Sequence, residues 1–354
     1  MQADFLLIGQ GICGTFLSWY LQQAGYSVIV IDEQHNNTAS HVAAGIINPV
    51  TGRRIVQTWL IDEVLPAAWN SYQELQAVLQ VTTITQKDIL DFFPTPQMKE
   101  AYAKRYAEDT SYLAPPVNTD DWKTFFNYDF GYGQITPCYL VNLPELLPAY
   151  RQYLVKQGIL LDEHFDYKQL QTAPDHIRYK NITTGKIIFC DGLAAATAPF
   201  FQLLPFAPNK GEALLVRIPH LPKEFIFKKG MNLVPWQDDI FWLGSSYEWN
   251  FTDDQPSVVF RERMTAALQQ WIKMPFTILE HKAAVRPATL ERRPFVGFHP
   301  QHPAVGIFNG MGTKGCSLTP FFARELVAHL QHQAPIHPET DVQRFRRILS
   351  RQDL

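Results

Sequence analysis

The chain has few of the residues that build covalent or metal frameworks. Among 354 residues there are 4 cysteines, Cys13, Cys138, Cys190 and Cys316, and no two form a C-x-x-C pair. Neither a disulfide scaffold nor a cysteine-bound zinc is expected. No His-Glu-x-x-His occurs, and His281 has no partner at helical spacing, so no metal site is expected. Excess charge is also lacking. Lys and Arg number 31 against 34 Asp and Glu, a net charge of −3. That leaves no strongly basic footprint for nucleic acid, and no nucleic-acid partner is expected. No Lys or Arg precedes Arg53, so the positive n-region of a secretory signal is not expected. No apolar run approaches the ~20 residues of a membrane span. The triplets at Asn36, Asn181 and Asn250 then carry no glycosylation meaning, and a cytoplasmic location is expected.

The chain does have material for a core, with 46% hydrophobic and 18% charged residues. At ~150 residues per domain, its length suggests about two domains. The opening stretch says most. Phe5-Leu6-Leu7-Ile8 suits a buried parallel strand, and Gly9-Gln10-Gly11-Ile12-Cys13-Gly14 follows at once. A helix is expected over Thr15–Ala24, stopped by Gly25. Val28–Ile31 reads as a second strand, with Asp32 and Glu33 at its end.

Beyond it a loop is expected from Gln34 to Ile47 and a helix from about Gln57 to Val81. Short strands and loops are expected through 82–137, then a helix over Leu143–Gln157. Strands are expected at Ile159–Leu161, Ile177–Tyr179, Ile187–Cys190, Leu214–Ile218, Met231–Pro235, Ile240–Leu243 and Gly306–Asn309. Helices are expected at Val258–Ile272 and Leu318–Leu330. The fold class is α/β: a Rossmann-like dinucleotide domain with a parallel sheet, and a β-rich α+β substrate domain inserted discontinuously. The division expected is 1–80, 138–205 and 283–354 for the first, 81–137 and 206–282 for the second.

A G-x-G-x-x-G alone is a weak signal, but here a strand precedes it, a helix follows and an acid closes the second strand. Gly9 permits the tight turn, Gly11 lets the backbone approach a pyrophosphate, and Gly14 allows close helix packing. The helix N-terminus favours the phosphates. Asp32 suits a ribose and argues against a 2′-phosphate, hence against NADP. The motif by itself leaves FAD and NAD open.

Four further segments carry a resemblance. They are Thr38-Ala39-Ser40-His41-Val42-Ala43-Ala44-Gly45-Ile46-Ile47, Lys210-Gly211-Glu212, and Arg286-Pro287-Ala288-Thr289 with Arg293-Pro294-Phe295-Val296-Gly297. The fourth is Asn309-Gly310-Met311-Gly312-Thr313-Lys314-Gly315-Cys316-Ser317-Leu318-Thr319-Pro320. In this order they resemble the D-amino-acid-oxidase-like superfamily of FAD oxidoreductases, which includes glycine and sarcosine oxidases. The loops also resemble the oxidase half of the bifunctional enzymes that trim a carboxymethyl group from a tRNA wobble uridine.

The resemblance implies non-covalent FAD held by Gly9, Gly11, Ile12, Cys13, Gly14, Asp32, Glu33, Ser40, Ala44, Gly45, Ile46, Gly192 and the run Gly310, Met311, Gly312, Thr313, Lys314, Gly315. It implies oxidation of a small amine or amino acid, with hydride passing to the flavin. Arg286 then grips a carboxylate, which a guanidinium does with two-point geometry. Lys314 and its loop stabilise the reduced cofactor. Asn232 stands where glycine oxidase has a tyrosine, and Trp242 where sarcosine oxidases have a lysine. Oxidase and dehydrogenase therefore both stay open, as does the electron acceptor. Tyr247 is a pocket candidate, although for Tyr247 and Trp249 core packing is the expectation. Two other functions remain: trimming of a modified tRNA base, with Arg53, Arg54, Arg292 and Arg293 as groove candidates, and a flavin-binding protein without turnover.

Overall fold

Residues 1–351, apart from Asn36 and Arg53, are described by the computed structural model. Asn36 of the first Asn-x-Thr triplet and the groove candidate Arg53 thus lie outside the described residues.

Leu160–Leu161, Val28–Ile31, Gln2–Ile8, Ile182–Phe189 and Val305–Asn309 lie side by side, all parallel. Val28–Ile31 and residues 5–8 and 187–189 of their neighbours are continuous apolar runs because helices cover one face of this sheet and connecting segments the other. Ile12–Gln23, Ile61–Leu79, Leu143–Lys156 and Gly315–His332 pack on one face through Phe16, Tyr72, Leu146 and Phe322. Phe165, Phe189, Phe201 and Leu349 fill the other. Leu170–Thr172, Ile177–Tyr179 and Phe295–Phe298 add antiparallel strands, making eight in all.

The second sheet has seven strands, in the order Thr277–Arg286, Asn209–Arg217, Ile240–Gly244, Asn232–Gln237, Ile226–Lys228, Ile89–Phe92 and Tyr132–Ile135. Its residues alternate between two cores. Leu214, Leu233, Leu243 and Phe227 pack outward with Phe92 and Trp271. Ala213, Leu215, Val234 and Trp242 face inward, toward Ala44 and Val50 of the first unit's loops. The period-2 pattern thus aims one face of this sheet at the cofactor side.

Several expectations are corrected. Residues 82–137 hold a 13-residue helix, Pro96–Glu108, besides their strands; Thr95 caps it through Met98 N at 3.3 Å, and Pro96 opens it. The loop from Gln34 contains the short helix Ala39–Val42 and the strand Ile46–Ile47. Helices start at Ile12 and Gly315, earlier than Thr15 and Leu318, because glycine in the first turn hides the helical signal. The helix expected from Gln57 starts at Ile61, since Val56–Gln57 pairs with Val50–Thr51. The ten-residue strand Thr277–Arg286 was not anticipated. No helix among the described residues is long and apolar enough to cross a membrane.

Candidate active site

The strand Gln2–Ile8 turns into the first helix through glycines that nothing larger can replace. Gly9 has φ +96, and a Cβ on Gly14 would lie 1.8 Å from the Gly9 carbonyl oxygen. Gly11 differs. A Cβ there would meet only Ser40, its Oγ at 3.1 Å, with the remaining space open to the cleft. Ser40 Oγ also accepts from Ile12 N at 3.1 Å, tying the second loop to the helix start.

Asp32 closes Val28–Ile31. Its Oδ2 accepts from Gln10 N at 2.7 Å, and its Oδ1 from Arg151 at 2.6 Å. Arg151, in the last turns of Leu143–Lys156, also reaches Asp162 at 2.9 Å. The sequence reading missed this arginine. Glu33 instead faces His164 and His35, at 2.6 and 2.9 Å.

Between the two sheets runs a cleft of about 1290 Å³. Gly9, Gly11, Ile12, Cys13, Asp32, Glu33, Ser40, Ala44, Gly45, Ile46 and Gly192 line it, as do Met311, Gly312, Thr313, Lys314 and Gly315. Gly14 and Gly310 do not: Gly14 packs against Gly9 and Cys190, and the Gly310 turn against Thr289 and Phe295. A second unanticipated group is Asp191, beside Gly192. Burial pushes its carboxyl up to about 7, while the Tyr167 hydroxyl, donating at 3.1 Å, opposes the shift. The volume, the open approach at Gly11 and the anchored Asp32 suit a dinucleotide.

At the other end of the cleft, Arg286 leaves Thr277–Arg286 and crosses the neighbouring strand above Gly211. A Cβ on Gly211 would sit 1.9 Å from its guanidinium, so a larger residue there would displace the Arg286 head group. Arg286 donates to Asn209 Oδ1 at 2.7 Å and Ser246 O at 3.2 Å, and lies 4.8 Å from the Tyr247 ring centre. No carboxylate among the described residues lies within 4.0 Å of it. Desolvation lowers its pKa. Its neighbour Glu212 is fully buried but taken: it faces His281 Nε2 at 2.9 Å and accepts from Ser257 N and Oγ at 2.6 and 2.8 Å.

Asn232 and Trp242 also line this end, and Trp242 Nε1 donates to Val42 O at 2.9 Å, bracing the loop. The core-packing expectation for Tyr247 and Trp249 is overturned. They are 61% and 55% exposed, because they follow the strand Ile240–Gly244 into a surface loop. Of the groove candidates, Arg293 is bound to Glu339 at 2.7 Å and lies 4.1 Å from the Trp59 ring centre. Arg54 and Arg292 are exposed.

Lys314 is no solvated loop lysine. It is half-buried, with Nζ 3.3 Å from Asn48 O, and desolvation lowers its pKa to about 8. Its charge is therefore present below that value and lost as pH rises through it. If Lys314 acts as a cation, kcat/KM declines on the alkaline side near pH 8. Lys314→Arg should move that limb upward, because a guanidinium stays charged. An identical alkaline limb in the arginine variant would exclude Lys314 as its source.

A parallel sheet with a glycine-rich first crossover, an acid closing the second strand and a deep cleft toward a second sheet define a dinucleotide-binding protein. The chain belongs to the DAO family of FAD-dependent oxidoreductases, whose family model matches residues 4–329. Its cofactor is FAD. The tRNA 5-methylaminomethyl-2-thiouridine biosynthesis bifunctional protein MnmC of Acinetobacter baylyi is 24% identical over 94% of this chain and 54% of its own length. The chain thus spans about half of that relative. Glycine oxidase from Geobacillus kaustophilus superposes with TM-score 0.79 at 16% identity, covering 96% of this chain and 98% of its own. Iminodiacetate oxidase from Chelativorans sp. BNC1 gives 0.77 at 18%, covering 95% and 98%.

Proposed function

We propose that this FAD-dependent oxidoreductase oxidises the C–N bond of an amino acid, or of a secondary amine bearing a carboxylate. The supporting observation is Arg286: a desolvated guanidinium lining the cleft, braced by Asn209 and Ser246, with no carboxylate of the described chain to neutralise it. A desolvated, half-buried cation without a counter-ion is costly, and a substrate carboxylate would supply one. When bound, FAD supplies the hydride acceptor at its N5 atom.

The chain's residues would do the rest. Arg286 orients the substrate by its acid. Tyr247 covers the guanidinium from the solvent side. Lys314, beside the Gly312–Lys314 turn and the start of Gly315–His332, places positive charge at the cleft wall. The Cys316 thiol, pushed up to about 12 by burial, stays protonated, which favours non-covalent FAD. The exposed Tyr247 over Arg286, with the exposed Trp249 two residues on, favours one second reading, a carboxylate on a larger aromatic carrier such as a modified tRNA base.

Anaerobic mixing with a panel of D- and L-amino acids and N-alkylglycines tests the proposal through loss of the oxidised flavin's visible absorbance. Because only the reductive half-reaction is followed, the electron acceptor does not matter. Bleaching by at least one carboxylate amine is expected. An unbleached cofactor across the panel would favour a binding protein without turnover.

A further inference from the structure

Besides Arg286, the inward face of the seven-stranded sheet carries two lysines: Lys282, on the Arg286 strand and 3.3 Å from Glu280, and Lys228, far from Arg286. Strand register sets Lys282, Ala213, Gly244, Asn232, Lys228 and Asp91 in one lateral row, each paired with the next. Directly paired residues project from the same face of a sheet. Arg286 pairs with Asn209, four residues before Ala213, so it projects from that face as well. The middle of the row is low, because Ala213 and Gly244 stand there, and the ends are polar.

Lys228 lines the cleft, and its Nζ donates to Asp91 Oδ2 at 2.7 Å. Asp91 is 4% exposed, sits directly beside Lys228 on the adjacent strand, and by pairing with the ammonium fixes it at the cleft wall. An ammonium has three N–H donors. Asp91 takes one, and no other described residue accepts from Lys228. Asn232, next in the row, offers an amide to the same space. The Arg286 guanidinium lies over Gly211, and the strand carrying Gly211 is three places from the one carrying Lys228. At ~4.8 Å per strand the two backbones are roughly 14 Å apart across the sheet, so a ligand with an acid at each end must be extended to reach both cations.

We propose that Lys228, positioned by Asp91, binds a second acidic group of the substrate, so that the amine oxidised is a dicarboxylate held between Arg286 and Lys228. This rests on the proposed grip of a carboxylate by Arg286. Asp91 is a positioning residue. Lys228 is a specificity determinant that separates diacids from monoacids.

The test is binding without turnover. The FAD-loaded protein is titrated with glutarate and with glutaramate, which have the same shape but differ by one charge, following the visible spectrum of the bound cofactor. The wild type should bind glutarate about tenfold more tightly, since a charged partner adds on the order of 1.4 kcal/mol, a tenfold factor. Lys228→Met should bring the ratio to within about twofold, and Lys228→Arg should keep most of it, which also guards against a folding defect. Asp91→Asn should give an intermediate ratio, since the charge remains but loses its anchor. Equal affinities in the wild type, no spectral response to glutarate, or an undiminished ratio in Lys228→Met would each overturn the proposal. Arg286→Ala separates the two ideas: if it leaves the affinity for both ligands unchanged, the carboxylate grip by Arg286 fails, while the ratio still judges Lys228.

Discussion

Arg286→Ala should keep its FAD and lose most of its turnover of carboxylate amines. The residue stands on the second sheet, away from the glycine loop, so cofactor content is expected to match the wild type. The expected fall in kcat/KM corresponds to ~2–5 kcal/mol, the scale for truncating one member of a desolvated charged pair. Arg286→Lys keeps the charge but loses the planar guanidinium, whose Nη1 donates to both Asn209 and Ser246, and should fall between. The matched control is the substrate's amide, which the wild type should process poorly and the alanine variant scarcely worse. Equal losses for acid and amide would make Arg286 a brace for Asn209 and the Ser246 turn. No loss for either would shift the substrate class to neutral amines.

The second large effect separates two glycines of one motif. Gly11→Val should give a folded, colourless protein. Its side chain crowds Ser40 Oγ, 3.1 Å from a Cβ there, and fills the approach a pyrophosphate needs. Gly14→Ala should fail differently. Its Cβ would lie 1.8 Å from the Gly9 carbonyl oxygen, so strand and helix must separate. The loss of stability should reach or exceed the ~1–3 kcal/mol typical of overpacked cores. Flavin absorbance per chain and thermal unfolding check the pair. A fully yellow Gly11→Val would remove the loop from the cofactor site, and an unshifted melting temperature in Gly14→Ala would contradict the close crossing.

The cofactor half was legible because its signals are local. Gly9 through Asp32 form one contiguous strand–helix–strand unit, and the apolar runs are those of strands buried on both faces. Arg151 and Asp191 escaped notice because their meaning is tertiary. One reaches Asp32 across 119 positions, and the other is perturbed only because the fold buries it beside Tyr167. The substrate half was harder for the same reason. Nothing within Ile89–Phe92 announces that Asp91 will stand beside Lys228, 137 residues later. The helix Pro96–Glu108 was different, since Thr95-Pro96 is a readable start that its polar, weakly patterned sequence obscured. Tyr247 and Trp249 misled because aromatic residues are usually buried, whereas a loop after a strand can leave them at a rim.

The parallel sheet is completed by Val305–Asn309, which docks against Ile182–Phe189 and delivers the Gly312–Lys314 turn to the cleft. The chain is made from its N-terminus, so the glycine loop is synthesised long before the wall opposite it. Until residue 316 has emerged from the ribosome, one side of the cleft is missing and the apolar edge of Ile182–Phe189 stays open to other strands. The cofactor cleft is therefore complete only after segments made about 300 residues apart have come together.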